Sequence, residues 1–273
     1  EGSPLIFITE RIKKKLQKIV DVPVEIGMRY AEPSIETGMR KLTEQGVTEI
    51  VLFPLYPQYA MSTTETVVEK AEEVRKKHFP EVKVNYIQPF YNREIYIDCL
   101  AESIREKLPE NFDALQFSYH GVPERHIYKT DPTKTCNLND CCSRESNPSH
   151  QFCYRHQCFK VTEEVIKKLN LPKEKVMVTF QSRLGNDKWM EPYTDETLES
   201  LGKKGIKNLA IVCPAFVSDC LETLEEISVE GKEQFEHGGG ENFHYIPCLN
   251  DEDRWIEVVK TLCEEKLEEF YLV

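Results

Sequence analysis

The chain has no apolar run long enough to cross a bilayer. Its longest, residues 49–57, is of strand length and carries prolines at 54 and 57, whereas a membrane helix needs about 20 apolar residues. It also lacks a basic excess. Lys and Arg number 35 against 47 Asp and Glu, a formal net charge of −12, so no global field draws the chain to nucleic acid or anionic lipid. No secretory leader pattern is visible. The opening Glu1-Gly2-Ser3-Pro4 reads as the middle of a loop, and the expectation is that a further piece precedes it. What is there is ordinary: 273 residues, 40% apolar and 30% charged, enough for one large or two average α/β domains.

Cysteine is the exception, with ten residues. Five of them (Cys136, Cys141, Cys142, Cys153 and Cys158) fall within 23 positions, and the rest are scattered through apolar surroundings. A secreted disulfide scaffold is normally smaller and lacks buried parallel strands. The reading is a reducing cytoplasm, with core thiols and one local group that binds metal.

Helical periodicity covers residues 5–19, 34–45, 63–77, 94–108, 160–169, 195–203, 220–228 and 251–270. Strand-like segments are 22–29, 49–55, 82–88, 114–119, 175–181 and 208–213. Short apolar strands alternating with amphipathic helices predict an α/β fold with parallel sheets covered on both faces. An internal repeat supports two similar lobes. A strand, a basic turn, Glu32-Pro33, a helix, Gly46-Val47, a strand and Pro54 recur as a strand, Arg183, Glu191-Pro192, a helix, Gly205-Ile206, a strand and Pro214. The boundary is expected near Pro109 to Asp113. Ligands of open α/β sheets bind beyond the carboxyl ends of the strands, which directs attention to the segments following each strand.

His120 ends one such strand, before Gly121-Val122-Pro123. Imidazole titrates near neutrality, so it can take a proton or bind a metal; a surface or capping His fits the spacing as well. In the second half, Asp219 resembles a helix N-cap with Glu222 three residues on, the pattern of a capping box. The alternative is that Glu222 faces the site and handles a cation or protons, with Glu225 and Glu226 one turn further.

At this point the residues carry a resemblance. Ser118 to Arg125, Thr179 to Gly185, Pro192 to Leu198, Phe216 to Glu226, Leu55 to Thr64 and the opening Glu1 to Leu5 are similar to successive motifs of bacterial ferrochelatases. The match runs in order to about Asn250, interrupted by an insertion between His126 and Phe159. It implies two Rossmann-like, chelatase-type lobes around a central cleft. These are residues 1–110, with a first strand absent, and 111–273, carrying a Cys-rich insert at 127–158; the last helix, 251–270, packs across both. It implies insertion of Fe²⁺ into protoporphyrin IX in haem biosynthesis, with porphyrin and Fe²⁺ as partners and no nucleic acid. His120 and Glu222 become the catalytic pair and the metal-handling groups, and Tyr30, Trp189 and Phe216 porphyrin contacts, although each of these three alone reads as core packing. Cys220 stands where many relatives carry a second His. Arg29 suits a propionate, a structural carboxylate or a helix cap.

For the insert, free thiols, a disulfide pair, or zinc helped by His150 or His156 compete with an iron–sulfur cluster. No Cys-x₂-Cys knuckle is present. Some bacterial ferrochelatases are similar in carrying a cysteine-rich insert that holds a [2Fe–2S] cluster, which implies Cys136, Cys142, Cys153 and Cys158 as ligands and Cys141 as spare. Rival readings are coproporphyrin insertion, a two-lobed binding protein for metal or tetrapyrrole without catalysis, and an inert chain. Oligomeric state and peripheral membrane contact stay open.

Overall fold

The computed structural model describes residues 2–271. In chain order the elements are α1 (Pro4–Leu16), α2 (Ile35–Thr43), β1 (Glu49–Leu52), α3 (Thr66–His78), β2 (Lys83–Tyr86), α4 (Glu94–Lys107), β3 (Ala114–His120) and α5 (Glu124–Thr130). They continue with α6 (Tyr154–Leu169), β4 (Val176–Gln181), α7 (Thr194–Lys203), β5 (Asn208–Val212), α8 (Leu221–Leu224), α9 (Lys232–His237), β6 (Asn242–Ile246) and α10 (Asp253–Tyr271). Wide π-turns at Met61–Glu65 and Glu226–Gly231 lead into α3 and α9.

Two compact units result, Glu1–Phe90 with Asn250–Val273, and Tyr91–Leu249. In the first, β1 and β2 pair in parallel from Glu49↔Lys83 to Leu52↔Tyr86. Helix α1 starts on a proline, which suits a first turn with no N–H partner, and ends on Lys13, Lys14 and Lys15, which complement its dipole. Its buried Ile8, Ile12 and Leu16 recur every fourth residue and form one stripe. Helix α10 packs against α1 and β1. The second unit has four parallel strands in the order β4-β3-β5-β6. Chain order runs outward from β3 in both directions, so β3 and β5 flank the switch point where such sheets bind ligands.

Three expectations change. The boundary expected near Pro109 to Asp113 falls after Phe90, because the buried Ile97, Leu100, Ala101 and Ile104 belong to α4, which packs on α6 of the second unit. Residues 22–29 form no strand: the extended chain makes a single bridge, Met28↔Ser34, and no ladder partner lies beside it among the described residues. Residues 220–228 are a four-residue helix running into a π-turn, not one continuous helix.

The repeat is physical. Met28 N–H donates to the Pro33 carbonyl at 2.7 Å, as Phe180 N–H does to that of Pro192 at 2.9 Å. Both Glu-Pro peptides are cis. Gly46 and Gly205 take φ of 84° and 88° behind α2 and α7, the left-handed position that ends a helix and favours glycine. The residue after each closes back on the helix, Val47 to Leu42 and Ile206 to Leu201.

Strand β3 has two unlike faces. Leu115, Phe117 and Tyr119 are fully buried apolar side chains, each contributing about 1.5–3 kcal/mol. The opposite face is polar and equally buried. Gln116 Nε2 donates to Thr179 Oγ1 at 2.7 Å, Thr194 Oγ1 donates to Thr179 Oγ1 at 2.8 Å, and Ser118 Oγ donates to Gln181 Oε1 at 2.7 Å. Of this ladder Gln116 Oε1 alone is left buried without a partner, and the ladder ends at the carboxyl edge of the sheet, under His120.

Candidate active site and thiol centre

His120 is the last residue of β3, in register with Gln181, the last of β4. Its Nδ1 lies 2.7 Å from the Gly121 carbonyl. A carbonyl only accepts, so Nδ1 carries the hydrogen and the neutral ring keeps its lone pair on Nε2. The ring stands among aromatics, with centroids 6.4 Å from Trp189 and 6.1 Å from Phe216. Trp189 is anchored by its Nε1–H to the Leu184 carbonyl at 2.9 Å and by a backbone bridge to Pro123. Gly121 makes this closeness feasible: a Cβ there would lie 3.0 Å from the Gln181 carbonyl oxygen and 3.2 Å from Trp189 Cε3.

Glu222 lies in the first turn of α8. The capping box expected of Asp219 and Glu222 is absent. Cys220 is the N-cap and reciprocates with Thr223, while Asp219 is buried and accepts from Thr223 Oγ1 at 2.9 Å and from the Tyr245 hydroxyl. The Glu222 carboxylate is therefore free of capping and accepts instead from the Cys220 thiol, whose pKa burial and that carboxylate push up to about 12. Glu222 is tied to the sheet through its backbone carbonyl, which accepts from Gln181 Nε2 at 2.6 Å. One turn on, the Glu226 carboxylate accepts from both N–H and hydroxyl of Ser182. That pairing supports Ser182 at φ 64°, where non-glycine residues are strained.

Gln181 is the residue that sequence reading missed. Buried, it receives Ser118 and the Cys213 thiol on Oε1 and gives Nε2 to the Glu222 backbone, so it joins β3, β5 and α8 beneath His120. A signal existed: Gln116 and Ser118, with Thr179 and Gln181, alternate as polar residues on two otherwise apolar strands. Tyr30 belongs to the first unit, where it is 72% exposed beneath the Arg29 guanidinium at 4.6 Å. Arg29 donates Nε–H to the carbonyl of Thr66, the first residue of α3, at 3.1 Å.

All ten cysteines are free thiols, and the five of the insert gather at the N-terminus of α6. Cys136 and Cys141 sulfurs are 3.7 Å apart. A hydrogen bond from Cys153, aided by Arg155, lowers the Cys142 thiol to about 6, while burial raises Cys136 to about 11. Cys158 is fully buried, and Cys142 is an electrostatic neighbour of Cys136, Cys153 and Cys158 alike. His150 Nε2 bonds the Cys141 carbonyl at 2.7 Å, and His156 bonds the Cys142 backbone; both rings serve the loop and not the sulfurs. Among the described residues no three His, Cys, Asp or Glu side chains are arranged around a single ion. The centre adjoins the site, since Tyr154 beside Cys153 donates its hydroxyl to the His120 carbonyl at 2.8 Å.

The loop carrying Cys136 is ordered by Asp131, whose carboxylate accepts from Thr133 N and Oγ1, Thr135 N and Cys136 N. Burial raises its pKa, but these bonds outweigh it and hold the carboxyl below the usual range. Its stabilisation is thus full above the unfolded value of about 3.9 and is lost as pH falls through the lower folded value. In Asp131→Ala three backbone N–H groups lose their acceptor, at about 1–3 kcal/mol. Cys136 in the apo-protein should then react roughly tenfold faster with a thiol reagent at pH 7; an unchanged rate would mean that the loop is ordered otherwise.

An open parallel sheet with a histidine and a carboxylate beyond its carboxyl edge, built twice over by an internal repeat, defines a chelatase-type α/β protein. Solved structures agree on the fold. SirB from Bacillus subtilis with Fe³⁺ superposes with a TM-score of 0.63 at 17% identity, covering 94% of this chain and 88% of that one. The sirohydrochlorin chelatase SirB of Bacillus subtilis subspecies spizizenii, in complex with cobalt, gives 0.62 at 14%, covering 96% and 88%. The ferrochelatase family model matches residues 1–267. A ferrochelatase of Pseudomonas fluorescens strain Pf0-1 is 46% identical over 267 residues, covering 97% of this chain and 78% of the relative. One of Pseudomonas syringae pv. tomato strain DC3000 is 45% identical over 266 residues, with the same coverage. The chain belongs to the ferrochelatase family.

Proposed function

We propose that the chain inserts Fe²⁺ into protoporphyrin IX, with His120 and Glu222 as the working pair. The observation that carries this reading is the aromatic-walled end of β3, where the His120 Nε2 lone pair stands beside Trp189 and Phe216, and Gln181 ties that edge to the backbone of Glu222. Insertion replaces two pyrrole N–H bonds by bonds to iron and releases two protons. His120 Nε2 accepts a pyrrole proton, and the Glu222 carboxylate takes a proton or holds the entering Fe²⁺. A flat macrocycle hides its nitrogen lone pairs, so binding energy from its periphery has to support a distorted ring. Trp189 and Phe216 supply ring faces for that. Cys220 keeps its proton at neutral pH and shapes the Glu222 carboxylate.

The cysteine centre is proposed to hold a [2Fe–2S] group on Cys136, Cys142, Cys153 and Cys158, with Cys141 as the fifth thiol. A bound cluster would cross-link the insert and carry one electron. The cytoplasm is the proposed setting, because ten free thiols suit a reducing compartment. Among the described residues no helix is long and apolar enough to cross a membrane. The macrocycle is tested by anaerobic insertion with protoporphyrin and coproporphyrin in competition. Protoporphyrin should have the higher kcat/KM; a preference for coproporphyrin would replace the substrate named here.

A further inference from the structure

The end of β3 runs past one of its neighbours. Its ladder with β5 stops at Phe117↔Val212, three residues before His120, whereas the ladder with β4 continues to His120↔Gln181. The next peptide unit, from the His120 carbonyl to the Gly121 N–H, is planar and trans, so its two polar ends point in opposite directions. The Gly121 N–H donates to the Gln181 carbonyl at 2.8 Å, on the β4 side. The His120 carbonyl therefore faces the other side, where β5 no longer offers a strand partner. The Tyr154 hydroxyl takes that place, donating at 2.8 Å. Tyr154 is the first residue of α6, and its ring is buried. A second hydroxyl bond, between Tyr119 and Thr162 Oγ1 at 2.8 Å, joins β3 to the same helix about two turns on.

We propose that Tyr154 is a positioning residue for iron insertion: by pinning the His120–Gly121 peptide plane opposite Gln181, its hydroxyl fixes the direction in which His120 Nε2 presents its lone pair; this rests on the reading of His120 given above. The link is short. The Gly121 carbonyl sets the rotation of the imidazole by accepting its Nδ1–H at 2.7 Å, so a turn of the pinned plane moves carbonyl, ring and lone pair together. Removing the hydroxyl frees one end of the plane and leaves the proton acceptor itself unchanged. A displacement of about 1 Å at a reacting group costs up to ~10²-fold in rate, and release of one of two ties should cost about tenfold.

The test is anaerobic steady-state insertion of Fe²⁺ into protoporphyrin by the full chain, by Tyr154→Phe and Thr162→Val, and by Tyr154→Phe combined with His120→Ala. Phenylalanine fills the same space as the buried tyrosine ring. Tyr154→Phe should lower kcat about tenfold and leave the KM for protoporphyrin within about twofold of wild type. Thr162→Val removes a buried hydroxyl bond between the same two elements, away from His120, and should keep kcat within about twofold. Added to His120→Ala, Tyr154→Phe should change the residual rate by less than about twofold, because the two residues act through one imidazole. Wild-type kcat in Tyr154→Phe overturns the proposal. So does an equal fall with and without His120, or in Thr162→Val, since either marks a general loosening of α6. If His120→Ala itself turned over like wild type, the reading of His120 would fall and this inference with it; a slow His120→Ala beside an unimpaired Tyr154→Phe refutes Tyr154 alone.

Discussion

Replacing His120 by Ala should leave a folded protein whose insertion rate is at least ~10²-fold lower, the usual loss on removing a positioned acid–base group. The side chain is half-buried at the end of its strand, and its polar tie is the local bond to the Gly121 carbonyl. The strand is held by its ladders to β4 and β5 and by the Ser118–Gln181 bond, none of which involves the imidazole. Stability should fall by about 1 kcal/mol, and porphyrin affinity should change little, because the ring walls come from Trp189 and Phe216. The loss belongs in kcat. Near-wild-type turnover would remove His120 from the chemistry.

Glu222→Gln should cost about as much in rate while barely changing stability. The helix is capped by Cys220 and Thr223, so the carboxylate has no structural duty beyond accepting the Cys220 thiol and favouring the dipole, together about 1 kcal/mol at most. Glutamine keeps the size and an acceptor oxygen but can neither take up a proton nor hold a cation by charge. Turnover should fall ~10²-fold, with Tm within about 2–4 °C of wild type. A clear drop in Tm with turnover intact would show a structural acid.

Much of the fold was legible because its punctuation is local. Glycine at a left-handed helix end and the Glu-Pro step mark equivalent places in both halves, and the apolar runs of β3, β4 and β5 admit one reading. Strand β6 was missed, since Asn242 to Ile246 alternates polar and apolar side chains at the sheet edge after three glycines that look like loop. Helix α6 begins at Tyr154, six residues before the expected start, because cysteine spacing there conceals helical periodicity. Helix α5 lies inside what reads as a motif and the start of an insert. In the site, His120 was legible from its place at a strand end. The hydrogen-bonded role of Gln181 was not, because it depends on Ser118, Cys213 and Glu222, which lie up to 63 residues away in sequence. The capping of α8 escaped for a related reason: a cysteine is an unusual N-cap, and Asp219 is drawn away by Tyr245 and Thr223.

A single-turnover mixing experiment under anaerobic conditions separates a chelatase from a protein that only binds metal and tetrapyrrole. Enzyme loaded with protoporphyrin is mixed with stoichiometric Fe²⁺ in weakly buffered solution, while haem absorption and an indicator dye are followed together. The account predicts haem formation well above the protein-free rate, with two protons released per iron inserted. Porphyrin that stays bound and metal-free, with no protons released, would contradict it.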